Sequence, residues 1–529
     1  MRYRDAGIGL AFVILNQLLV LPIQIALDLH SINLPASILV MLLFSILMIT
    51  ANFIHSGTVD LYSRYLRGPT DFLGKHMSLG FVASFIMLNR DHISNAIDVP
   101  RVAGAFITTN VLGYVSSFLF AIGCYKLEYR IRRQRAAVHD VECGNRAWPS
   151  PSTAWPAPPT DRSPKRLSQL SRISMALAKN GSLTSMESAE RATNSQLVDH
   201  LVRTAPVWIC VVLIIAVGLP VYFATRYEGI FEALCFSLFW VLSLQLQRSM
   251  KASCRLLELP RLRYTLVIFA NPVVVTSVLG TAYLWIKKAC TGHTIDVIIT
   301  QFRRHNTLAE GMIRIVDGEK WMDHVGAGDF SGLILDAGIV CMGFKMFEYR
   351  KELWESFITV LSTCTILAAA NVFLSVLIAR GMGLQAADAL AFAARSVTIA
   401  LGIPVMQNLD GSATLMSAMV VFGGIIFQMA GDWIFSILGI HHRQRKSSSG
   451  DHGNAEQEPQ QSAGTDDRII AAGVAVGINA AAMGTSHLIE RDSRATAYSA
   501  LSMTVFGAMT VALTAPPSVS AVIASLASR

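Results

Sequence analysis

Charge is scarce in this chain. Asp, Glu, Lys and Arg supply 15% of its 529 residues, where a soluble globular protein carries about 25%. Hydrophobic residues supply 52% and the mean hydropathy is +0.46, a balance that excludes an ordinary soluble domain and implies a polytopic membrane protein. Catalytic motifs are missing as well. There is no glycine-rich phosphate loop, no HExxH and no Gly-x-Ser-x-Gly, so neither ATP-driven transport nor hydrolysis has support, and no enzyme activity is expected. The eight cysteines contain no CxxC pair, and most lie in apolar runs where they act as small hydrophobes. No disulfide framework, metal site or cofactor is implied.

Basic residues outnumber acidic ones, 44 to 36, but they gather between apolar runs. Arg64, Arg67 and Lys75, the stretch Arg248 to Arg263, Arg350 with Lys351, and Arg443 to Lys446 are placed as topology signals. The implied partner is a lipid bilayer, not nucleic acid. About twelve hydrophobic segments approach the roughly 20 residues that a helix needs to cross, so the expected fold is an all-α polytopic membrane protein. The N-terminal run is read as a retained first span, with no plastid targeting segment visible; which membrane holds the protein is left open. Residues 1–124 form a four-helix unit. Residues 125–203 begin with Lys126, Arg130, Arg132, Arg133 and Arg135 and continue rich in Pro and Ser, as a disordered linker would. Residues 204–529 carry the remaining spans, interrupted by a second polar loop at 443–467.

Two stretches stand apart, Ala393 to Gly402 and Gly477 to His487. Both are polar and Ala/Gly-rich among segments apolar enough to span. Irregular or polar backbone survives at membrane depth only inside protein or along a wet cavity. Counting spans with the positive-inside rule makes 384–404 enter and leave on the outer side and 469–488 dip in from the inner side. Two re-entrant or broken helices of opposed entry predict an inverted repeat around a midplane site.

The candidate site residues follow from these stretches and from polar groups inside spans. Arg395 is either a carboxylate anchor, since a guanidinium gives two parallel hydrogen bonds, or half of an ion pair with Asp388, or an arginine at the water boundary. Ser396 and Thr398 either donate hydroxyls to substrate or bond a carbonyl one turn back. Asn479, Thr485 and Ser486 pose the same choice at the second stretch, where Gly484 and its alanine neighbours equally serve close packing. Asp336 is a carboxylate inside an apolar span. Asn271, ahead of Pro272, would free a backbone carbonyl in mid-span or mark a kink. His487 and Glu490 either relay a proton or cap the element at the interface.

Several of these residues carry a resemblance. Asn33-Leu34-Pro35-Ala36-Ser37 and Asp71 to Val82 are similar to the LrgA family; Gly326-Ala327-Gly328-Asp329, Met346-Phe347 with Arg350-Lys351, Arg395-Ser396-Val397-Thr398 and Gly484-Thr485 resemble the LrgB family. The fused order is that of plant plastid glycolate/glycerate translocators. The resemblance implies an LrgA-like unit, a linker and an LrgB-like transport unit that moves small monocarboxylates such as glycolate, glycerate or pyruvate by alternating access. Proton or sodium would be the coupling ion and a homo-oligomer the assembly. It equally admits a holin-like pore or regulator. Ala481 stands where the LrgB pattern has histidine, which also admits a transport-degenerate relative.

Overall fold

Apolar runs of twenty or so residues satisfy every backbone hydrogen bond within themselves only as helix, and helix is the only regular element among the described residues. The computed structural model describes residues 2–30, 35–55, 57–87, 98–143, 204–252, 266–304 except 268, residue 318, 325–437, 463–491 and 493–528. Within them lie eleven helices long and apolar enough to span a membrane. The protein is an integral, multi-pass membrane protein. The linker beyond residue 143 and the loop between 437 and 463 fall outside the described residues.

The chain divides into two compact units, Met1–Arg130 with Ile214–Arg529, and Ile131–Leu213. In the second only helix is described, the end of α5 and the start of α6. The first unit opens with α1 (Arg2–Leu29) and α2 (Ala36–Ile54), then the short α3 (Arg67–His76) and α4 (Leu79–Met87), and then α5 (Val99–Cys143). Thus α5 runs on beyond Cys124 into the basic run. Lys, Arg, Glu, Leu and Ala are good helix formers, and the first proline after that point is Pro149.

The remaining elements are α6 (Thr204–Thr225), α7 (Gly229–Ala252), α8 (Pro272–Thr291), α9 (Ile295–Phe302), α10 (Ala327–Glu348), α11 (Phe357–Gly381), α12 (Ala386–Ala391), α13 (Ile399–Leu409), α14 (Ala413–Ile437), α15 (Ala463–Glu490), α16 (Ala495–Thr514) and α17 (Pro517–Ser528). Asn271 stands at a break: residues 266, 267 and 269 are helical, and a new helix starts at Pro272. The asparagine caps α8, its Oδ1 accepting the Val273 N–H at 2.9 Å, with Pro272 in the first turn where a missing N–H costs nothing. The second polar loop ends sooner than expected, because α15 already begins at Ala463.

Helix α10 packs on α2, α3 and α4, and α15 packs on α14 and α16. Ion pairs join α3 to α10: buried Lys345 lies 2.8 Å from Asp71 and 2.9 Å from Glu348, and Arg67 lies 3.0 Å from Glu348. Protein encloses α15 almost completely, with 94% of its apolar window buried against 18% for α1. An enclosed helix can carry a polar break that a lipid-facing one cannot.

Candidate substrate site at the helix breaks

Both polar stretches are broken helices. After α12 the chain makes one turn of 3-10 helix, Phe392–Ala394, and regular helix then stops until α13, whose cap residue is Thr398. The Thr398 hydroxyl does not cap that helix, so the first N–H groups of α13 keep their positive end free of a side-chain acceptor. In α15 the break falls at Ala481, with φ 46° and ψ −136°, a backbone region that suits glycine and strains alanine. The Thr485 hydroxyl, donating to the Ala481 carbonyl at 2.9 Å and paired with Ser499 at 2.8 Å, holds the broken turn.

Arg395 is 3% exposed. One Nη2–H donates to the Thr109 carbonyl on α5 at 2.7 Å, while its Nε has no partner. No ion pair with Asp388 forms. Asn479, from the other broken helix, meets it across Gly113. A Cβ on Gly113 would stand 2.3 Å from Asn479 Oδ1 and 2.5 Å from Arg395 Nη2, so only glycine lets the two groups come this close to α5. The Asn479 amide nitrogen donates to Ser117 Oγ and to the Ala475 carbonyl, each at 2.9 Å. A carbonyl accepts only, which fixes the amide orientation and turns Oδ1 toward α5, where it has no partner.

Ser396 Oγ, Thr398 Oγ1, Asn110 Oδ1 and the Tyr114 hydroxyl are likewise buried without hydrogen-bond partners. Buried polar atoms are paired in the great majority of cases. An arginine that no carboxylate neutralises among the described residues, with orphan polar atoms on its own segment, on α5 and on the other broken helix, has the chemistry of an anion site: N–H and O–H donors with a fixed positive charge.

The other candidate residues fall elsewhere. Gly484 is a packing position, where a Cβ would stand 2.5 Å from the Ala480 Cβ. Ser486 pairs with Ser78 at 2.7 Å, and Asn271 donates to Gln428 at 3.1 Å. Gln428 reaches the Met483 carbonyl at 3.3 Å, so these side chains form a second polar cluster. It borders a cavity of about 60 Å³ whose wall includes Asp432, His487 and Arg491. His487 is no exposed cap: it is buried, with Nε2 3.1 Å from Asp432 Oδ1. Asp336 lies apart on α10, facing Ser37 and Gln17 of the N-terminal helices.

Sequence reasoning missed the α5 wall. Its signal was the four-residue spacing of Thr109, Gly113 and Ser117, with Asn110 and Tyr114 beside them, which lays small and polar groups along one side of an apolar helix.

Residues 260–449 and 462–519 match the LrgB-like family, a range that holds Arg395 and Asn479 and leaves α5 out. Two similar proteins are both named holin-like protein CidB, from two strains of Staphylococcus epidermidis. Each is 22% identical over 193 residues, 36% of this chain and 72% of the relative. No solved structure matches the chain. The part of the chain that carries both broken helices is thus the part that matches the LrgB-like family.

Proposed function

We propose that this protein is a secondary transporter of small organic monocarboxylates, of the size of glycolate, glycerate or pyruvate, with Arg395 as the carboxylate anchor. One observation carries the reading: a buried guanidinium with no acidic partner among the described residues, its Nε unpartnered, with the unpartnered Asn479 Oδ1 of the other broken helix beside it at Gly113 and further unpartnered polar atoms on its own segment and on α5. An uncompensated buried charge costs several kcal/mol, and a carboxylate bound through two parallel hydrogen bonds offsets that cost. Both broken segments contribute, so a shift of either relative to α5 would open or close the site, as alternating access requires.

The test is uptake of labelled glycolate, glycerate and pyruvate into liposomes under imposed proton or sodium gradients, wild type against Arg395→Ala and Arg395→Lys. The expected result is saturable uptake, abolished in Arg395→Ala and weakened at least about tenfold in Arg395→Lys, because an ammonium cannot reproduce the bidentate fork. Uptake by Arg395→Ala equal to that of wild type would defeat the reading. A holin-like pore is the second reading, favoured by the name of the relatives; its signature is unselective leakage of a trapped dye.

A further inference from the structure

Tyr114 sits on α5, outside the region that matches the LrgB-like family. Its ring stacks on Phe427 of α14, with centroids 6.1 Å apart and planes 13° apart. Phe427 is fixed in turn by edge contacts with Phe435 and His487 at 6.2 and 5.7 Å. The ring is therefore held in one place. Tyr114 follows Gly113, the residue against which Arg395 Nη2 packs, and its hydroxyl lies within electrostatic range of Arg395. That hydroxyl is buried and has no partner.

Phenylalanine would fill the same stack without burying an unpaired hydroxyl, which is unfavourable in an apolar interior. A buried tyrosine oxygen usually has a partner, and beside an arginine whose Nε is equally unpaired the fitting partner is an anion oxygen. A carboxylate has about four lone-pair sites, enough to take the guanidinium and a hydroxyl together.

We propose that the Tyr114 hydroxyl is a second substrate ligand, donating to the anion that Arg395 anchors, and that α5 therefore completes the transport site from outside the LrgB-like region. This inference rests on the carboxylate-transport reading above. It makes the N-terminal part of the chain a component of the site instead of a separate module.

The experiment is concentration-dependent uptake of labelled glycolate by full-length protein in liposomes, wild type against Tyr114→Phe. One hydrogen bond to a charged group corresponds to roughly a tenfold or greater rise in KM, with a maximal rate close to that of wild type. A melting temperature no lower than that of wild type in the absence of glycolate establishes that the variant is folded. Where the variant incorporates poorly, the glycolate-induced rise in melting temperature of detergent-solubilised protein reads the same loss, and the rise should be smaller in Tyr114→Phe at equal glycolate. Saturable wild-type uptake with an unchanged KM in Tyr114→Phe overturns the role of Tyr114 and leaves the transport reading standing. A fall in maximal rate at unchanged KM does the same. Absence of carboxylate uptake by wild type overturns both.

Discussion

Replacing Gly113 by alanine would put a methyl group where two polar side chains already are. The new carbon would lie 2.3 Å from Asn479 Oδ1 and 2.5 Å from Arg395 Nη2, well inside contact distance, so one of the two must move. If the guanidinium withdraws, it loses the 2.7 Å bond to the Thr109 carbonyl, about 1.5–3 kcal/mol for a hydrogen bond from a charged group. If the amide turns, it loses its bonds to Ser117 and Ala475, about 0.5–1.5 kcal/mol each. Either route comes to about 2 kcal/mol. Gly123, on the same helix, supplies the control, because a Cβ there meets no atom within 4 Å. Both variants gain about 0.5–1 kcal/mol of helix preference, and that gain cancels in their difference. Gly113→Ala should therefore unfold about 2 kcal/mol more readily than Gly123→Ala in chemical denaturation of the micelle-bound protein, followed by tryptophan fluorescence. Equal stabilities, or a more stable Gly113→Ala, would refute the placement of Arg395 and Asn479 against α5.

Lys345→Met removes the cation between Asp71 and Glu348 and should destabilise the protein by about 3–5 kcal/mol, because carboxylates then face one another with less compensation. Adding Asp71→Asn should recover part of that loss, a coupling readable in a double-mutant cycle of unfolding free energies; strictly additive losses would contradict the network. At Ala481, with φ 46°, Ala481→Gly should be tolerated, whereas the β-branched Ala481→Val should lower the melting temperature, since that backbone region admits branched side chains least of all. A valine variant that melts with wild type would mean that the break in α15 is not held at this residue.

The spans were legible because hydropathy is a local property, and the breaks because polar, small residues interrupt apolar runs at 393–402 and 477–487. Arg395 was legible for the same reason, as a lone charge in such a stretch. What a charge pairs with depends on packing between distant segments, and there the reading diverged. Asp388, seven residues away in sequence, was one alternative partner for Arg395, but the guanidinium turns to a backbone carbonyl of α5. Asn271 read as a site contribution or a mid-span kink; it does stand at a break after the helical residues 266, 267 and 269, where its Oδ1 and Pro272 together start the next helix. Ser486 and Asn479 lie seven residues apart on one element, but the break at Ala481 stands between them. They consequently serve different polar clusters, which no ideal-helix projection anticipates.

The N-terminal helices bear on the choice between carrier and pore. A holin-like unit that assembled through its own N-terminal helices would need its faces free for other copies. Here those faces are engaged within one compact unit: α2, α3 and α4 pack on α10, Lys345 is buried between acids of α3 and α10, and Glu128 of α5 accepts the Thr359 N–H of α11 at 3.0 Å. Freeing the N-terminal helices would expose Lys345 and leave Asp71 without its cation, at the cost set by a broken buried ion pair. It would also strip the Thr109 carbonyl from Arg395, so any state in which these helices act alone leaves the guanidinium with no partner among the described residues. The arrangement is more economical if the N-terminal helices and the two broken ones work as one machine.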